Sequence, residues 1–268
     1  MLPPGSKMQK AFCTHRKVLE DVYRMLFFFM RKECQKMKSN KKATSYFSKQ
    51  ECFLWSGSVF FILASFLLFD RTSYLTLAAS IIGATALIFN AKGNPFGQFL
   101  TIIFSILYGI ISYTFQYYGE MITYLGMTAP MAVFSLISWL HNPYNGNQSE
   151  VKVNHLKKPE ILFMFLISIV ITGFFYFILK TLHTTHLLPS TISVTTSFLA
   201  VYLTFRRSEY YALAYAANDI VLIILWILAT LQHISYLSVV ICFIIFLVND
   251  IYGFISWFNM KKRQQAQR

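Results

Sequence analysis

Two aspartates stand inside runs that otherwise hold no charge. Asp219 follows Tyr211, Tyr215 and Asn218 in the stretch Glu209-Tyr-Tyr-Ala-Leu-Ala-Tyr-Ala-Ala-Asn-Asp-Ile220, which opens an apolar run reaching Gln232. Asn249-Asp250 repeats the dipeptide 31 positions later within a second apolar run. A carboxylate in hydrocarbon is costly, so it is kept where it meets a solute, an ion or a buried partner. On a helix Tyr211, Tyr215, Asn218 and Asp219 fall at i, i+4, i+7 and i+8 and share one face. Phe246, Asn249, Asp250, Gly253 and Trp257 do the same on the next helix. At ~1.5 Å per residue Asp219 lies about 14 Å from the start of its helix and Asp250 about 10 Å from Trp257, near the end of its own. If the two helices are antiparallel neighbours, both Asn-Asp pairs sit at similar depth. Rings, amides and carboxylates on facing helices suit a flat polar ring with hydrogen-bonding arms. Such residues also serve as glue between helices; two pairs at one depth, each with aromatics, favour a solute-lining role. A cation, a sugar hydroxyl or another helix would each satisfy Asp219.

Gln98, Thr101, Ser105, Tyr108 and Ser112 descend an earlier helix at spacings of three and four, and helix packing is the competing reading for them. Gln98 and Tyr108 join the solute-lining candidates, with Trp226. Glu120, after Tyr117-Tyr118-Gly119, reads as a solvated carboxylate at an outer turn, and Pro130 as a mid-span kink or a freed carbonyl. His141, His155, His183, His186 and His233 fall in loops and are read as without function. Cys13, Cys34, Cys52 and Cys242 have no C-x-x-C spacing, which points to neither a metal site nor a disulfide frame. No G-x-G-x-x-G after a strand, P-loop, H-E-x-x-H or G-x-S-x-G is present. The expectation is therefore no enzyme, no cofactor and no primary pump.

The elements that must position these residues are membrane spans. The chain of 268 residues is 56% hydrophobic and 13% charged, about half the charge of an ordinary soluble domain. Apolar runs at 52–69, 72–91, 96–117, 121–140, 161–179, 187–205, 210–232 and 235–258 are each near the ~20 residues that cross a bilayer. With the N-terminus inside, the inner segments 1–51, 92–95, 141–160, 206–209 and 259–268 hold 22 of the 24 basic residues, leaving Arg71 and Lys180 outside. That asymmetry predicts eight spans with both termini cytoplasmic. The basic extension 1–51, in which Val18, Tyr23 and Leu26–Met30 suggest an amphipathic surface helix, is expected to rest on anionic lipid rather than bind nucleic acid.

A repeat orders the spans. Phe134-Ser-Leu-Ile-Ser-Trp139 and Tyr252-Gly-Phe-Ile-Ser-Trp257 are 118 positions apart, the offset that also sets Tyr108 on Trp226. The turn Ala91–Pro95 corresponds roughly to Arg206–Glu209. The expected fold is all-α: an extra helix at 52–69, three-helix units at 72–140 and 187–258, and a linker helix at 161–179. This is a 3+1+3 parallel repeat, with any solute held at the interface between the units. A basic tail, 259–268, follows.

Asn94-Pro-Phe-Gly97, Tyr108, Tyr113, Tyr118-Gly-Glu-Met121, Pro130-Met131 and Trp139 resemble the first unit of PnuC-type vitamin transporters. Phe246-Leu-Val-Asn-Asp-Ile-Tyr-Gly253 and Trp257 are similar to the close of their second unit. The resemblance covers about 72–258. It implies an outline like that of SWEET sugar transporters, a homotrimer, and uptake of nicotinamide riboside by facilitated diffusion with trapping by a cytoplasmic kinase. Relatives carry thiamine, riboflavin or deoxynucleosides, so a purine or deoxynucleoside, or another vitamin such as thiamine or riboflavin, is the alternative, and a non-transporting scaffold a remote one. In the nicotinamide riboside type two tryptophans precede the asparagine matching Asn218; here Tyr211 and Ala214 or Tyr215 take those places.

Overall fold

A computed structural model describes residues 46–267 except 72, 115, 116, 185 and 232. The proposed surface helix around Val18–Met30 lies outside the described residues. Eight helices are long and apolar enough to cross a membrane: α1 (Lys49–Phe69), α2 (Tyr74–Ala91), α3 (Pro95–Thr114), α4 (Tyr118–Leu140), α5 (Lys158–Thr181), α6 (Leu187–Phe205), α7 (Tyr211–Thr230) and α8 (Leu237–Ala266). They coincide with the expected spans, except that α8 continues through most of the basic tail. A Ser48–Glu51 capping box starts α1, and Glu51 also pairs with Lys92 at 3.1 Å. The peripheral helices α1 and α5 turn Phe53, Phe60, Phe61, Leu166, Ile169, Val170, Phe174 and Phe177 outward, as lipid contact requires.

Helix α4 does not break at Pro130. It passes through a π-helical stretch, Thr123–Thr128, before resuming at Ala129, and the Thr128 hydroxyl donates to the Thr123 carbonyl at 3.3 Å. Proline cannot donate its missing N–H, and the wider turn absorbs the mismatch.

The units α2–α4 and α6–α8 exchange contacts. The first helix of each packs on the last helix of the other, α2 on α8 and α6 on α4. The repeated Ile-Ser-Trp makes these joints. Trp257 Nε1 donates to the Asn90 carbonyl at 2.7 Å and Ser256 to that of Ala91 at 2.7 Å. Reciprocally, Trp139 Nε1 donates to the Thr204 carbonyl at 2.9 Å and Ser138 to that of Phe205 at 3.1 Å. Each pair adds donors to the last carbonyls of a helix, of which Asn90 and Thr204 also accept from the turn N–H of Gly93 and Arg207. The two indoles, fully buried, meet with ring centroids 5.3 Å apart.

The turns that follow α2 and α6 also match, at an offset of 114 residues. Gly93 and Arg207 adopt left-handed φ of 67° and 56°. The next residue of each turn donates its N–H back to the helix, Asn94 to Phe89 at 3.0 Å and Ser208 to Leu203 at 2.9 Å. Expected as a plain loop, 141–160 holds a hairpin of β1 (Pro143–Tyr144) and β2 (Asn147–Val151) around Asn145-Gly146. An Asn-Gly pair with positive φ at both positions favours a tight antiparallel reversal. The strand then fastens to both turns: Val151 donates to the Gly93 carbonyl at 2.9 Å and Asn154 to the Arg207 carbonyl at 3.0 Å. The start of α1, both turns, the hairpin and the end of α8 thus converge on one basic face of the molecule.

Candidate functional site

Helices α7 and α8 lie side by side and bring their aspartates together. Asp219 and Asp250 are 4% and 3% exposed, and their carboxyl groups lie close together across the α7–α8 contact. One oxygen of Asp219 has no partner among the described residues.

The asparagines point away from this pair. Asn218 Oδ1 accepts hydrogen bonds from Thr196 at 2.8 Å and Ser197 at 3.0 Å, both on α6. Asn249 Nδ2 donates to Ser58 of the extra helix α1 at 3.0 Å and to the Ile245 carbonyl at 2.8 Å, leaving its Oδ1 without a partner. Each dipeptide therefore divides: the aspartate faces its twin, and the asparagine joins its helix to a neighbour.

Two ring clusters flank the carboxyls. Toward the basic face, Tyr211 packs edge-on against Trp257 at 4.7 Å and near Tyr215 at 6.2 Å, with Trp139 behind. Gly253 leaves room for the Tyr211 hydroxyl, 3.6 Å from where a Cβ would stand. Farther along the bundle Trp226 Nε1 donates to the Tyr108 hydroxyl at 2.7 Å, joining two residues 118 positions apart. Tyr124, Phe104 and Phe243 enclose Tyr108. Gln98 is placed elsewhere: its Nε2 donates to Asn90 Oδ1 at 2.9 Å, beside the α2–α3 turn. A cleft of about 660 Å³ among Glu51, Lys92, Glu150, Tyr252 and Arg263 opens on the basic face without including either aspartate in its walls.

One candidate corrects the sequence reading. Glu120, expected as a solvated surface carboxylate, is 1% exposed, and neither of its oxygens has a hydrogen-bond partner among the described residues. The signal was present in Gly119. A Cβ there would stand 2.9 Å from Leu179 and 3.2 Å from Thr184, so the start of α4 is pressed inward against α5 and the segment after it.

Residues 73–259 match the family described as nicotinamide mononucleotide transporter. A relative from Neisseria mucosa named nicotinamide riboside transporter PnuC is 29% identical over 216 residues, covering 77% of this chain and 80% of its own. The crystal structure of the vitamin B3 transporter PnuC superposes with a TM-score of 0.73 over 82% of this chain and 95% of that one, at 24% identity. The match over α2–α8 takes in both three-helix units, the linker helix and both aspartates, and the chain belongs to the nicotinamide mononucleotide transporter family, the PnuC family of membrane transporters.

Proposed function

We propose that this protein carries nicotinamide riboside across a membrane by facilitated diffusion, with a kinase on the basic side trapping it as the mononucleotide. The observation that carries the reading is the sign of the buried charge. Among the described residues the buried side chains of Asp, Glu, Lys, Arg and His type are Glu51, Asp70, Glu120, Glu209, Asp219 and Asp250, all acidic; Glu51 and Glu209 are paired with Lys92 and Lys261, and Glu120, Asp219 and Asp250 lie within spans without an ion pair among the described residues. An interior of this sign attracts a pyridinium cation and repels a phosphate monoester. The Neisseria relative is named for the riboside and the family for the mononucleotide; the carboxylates favour the riboside. Tyr211 and Tyr215 offer ring faces and edges beside Asp250, and a flat cation gains from an aromatic face. Thiamine, also a cationic ring, is the second reading on the same ground. A homotrimer in a cell inner membrane, with both termini cytoplasmic on the basic face, belongs to the same proposal.

Purified protein in vesicles should equilibrate labelled riboside at a rate indifferent to ATP or a proton gradient. In a competition panel the riboside should displace label best and the mononucleotide, riboflavin and purine or deoxynucleosides poorly, with thiamine deciding the second reading. Strong competition by the mononucleotide would overturn the assignment. Asp219→Asn should weaken riboside uptake at limiting concentration by roughly 10- to 100-fold, the worth of one charge-assisted contact. Uptake and binding untouched by Asp219→Asn and Asn249→Ala would leave a scaffold as the better account.

A further inference from the structure

At the end of the bundle opposite the basic face, α4 and α6 hold a group of buried polar atoms without partners among the described residues. Glu120 offers both carboxyl oxygens unpartnered, and the Ser190 hydroxyl is buried without a partner among the described residues. The Ser190 Cβ and the unpartnered hydroxyl-bearing residue Thr184 both lie within 4 Å of the position of a Gly119 Cβ, which fixes them beside the start of α4. Ser193, one turn deeper on α6, stands next to the Glu120 carboxyl, and its hydroxyl also lies 3.5 Å from Asn218 Oδ1. Glu120 makes no ion pair among the described residues. Buried polar groups are satisfied in the great majority of native structures, so several orphans in one place need an occupant. The set has a chemical signature: a carboxylate for positive charge, surrounded by hydroxyls that both donate and accept. At its inner edge Ser193 meets Asn218, the residue before Asp219 in the chain.

We propose that Glu120, with Ser190 and Ser193, forms a second solute station on the face away from the termini, taking an organic cation that carries hydroxyl groups before it reaches Asp219 and Asp250. The station rests on the proposed riboside transport and adds a site to it. The carboxylate holds the ring charge, and the serines exchange hydrogen bonds with the sugar as its water is stripped. Passage from Glu120 to the aspartate pair then moves the cation between carboxylates without leaving it unpaired in an apolar medium.

The test uses the full chain in vesicles with two solutes of nearly the same shape, labelled nicotinamide riboside and its uncharged dihydro form. Wild-type uptake of the cation establishes the transport reading by itself. Glu120→Gln should then raise the concentration for half-maximal uptake of the cation about tenfold and that of the dihydro form less than twofold, while Glu120→Asp restores most of the loss. A Glu120→Gln protein that handles both solutes like the wild type overturns the station and leaves the transport reading standing. Equal losses for both solutes, unrescued by aspartate, assign Glu120 a structural role and also overturn it. A wild type that neither binds nor moves the riboside removes the transport reading and the station together.

Discussion

Lys261 and Arg263 sit two positions apart near the end of α8, and each binds a glutamate, yet the two pairs differ in worth. Glu209 is 1% exposed, holds Lys261 through one oxygen and has no partner for the other among the described residues. Removing the cation strands a buried carboxylate, so Lys261→Met should cost about 3 kcal/mol. Arg263, 53% exposed, bonds Glu150 at 2.6 Å, and Gln264 bonds the same carboxylate. Arg263→Met should change stability by about 0–1 kcal/mol. Thermal unfolding of the two variants in one detergent checks the difference; equal losses would refute the ranking. Buried Asp219 and Asp250 were legible in sequence because nothing else in their runs is charged. The outward turn of Asn218 and Asn249 was not. Which neighbour an amide finds depends on hydroxyls of α6 and α1, far away in the chain.

Helices α2 and α3 are joined by a turn with two glycines doing different tasks. Gly93 has φ of 67°, and a Cβ there would stand 3.2 Å from both Met260 and Val151. Gly97 has ordinary helical geometry, but its Cβ would fall 2.6 Å from the backbone nitrogen of Asn90. Flexible side chains can yield and a helix backbone cannot. Gly97→Ala should therefore destabilise more than Gly93→Ala, for which about 1–2 kcal/mol is expected from the left-handed conformation. Gly146, with φ of 75° and open space around it, should bear only the conformational cost. Melting temperatures of the three variants, in the order Gly97 lowest and Gly146 highest, are the check. At this scale the eight spans were readable because each is a long apolar run between basic or polar breaks. The π-helical stretch and the hairpin escaped that reading. One is a hydrogen-bond shift around Pro130 that hydropathy does not record, and the other is a short strand inside a segment taken as a loop.

Across the whole molecule, the count of basic residues and the structure agree on which ends belong together. The start of α1, both turns and the end of α8 meet on one face through Glu51–Lys92, Glu209–Lys261 and the Gln264 bonds to β2 and Val153. The repeat was visible as a shared Ile-Ser-Trp, a weak signal when read as an interfacial anchor. Its meaning came from pairing: each Ser-Trp closes the opposite unit, and a sequence motif does not say which carbonyls it will meet. Ser256→Ala, which frees the Ala91 carbonyl, should cost about 1 kcal/mol, and thermal unfolding would register it. Residues 1–157 produced alone should not give a monodisperse protein, whereas co-production with the remainder should restore one, as read by size-exclusion chromatography.

The crossed tryptophans also impose a schedule on synthesis. Thr204 reaches its indole 65 residues after Trp139 is made, but Asn90 waits 167 residues for Trp257. At ~5–20 residues per second that delay is on the order of ten seconds or more. For that interval the end of α2 lacks the Trp257 and Ser256 donors to its last two carbonyls and has no second unit packed against it. Until the last helix emerges, the nascent first unit is a client for whatever insertion machinery shelters unfinished spans, and a substitution that weakens α8 should appear first as lost protein rather than lost transport.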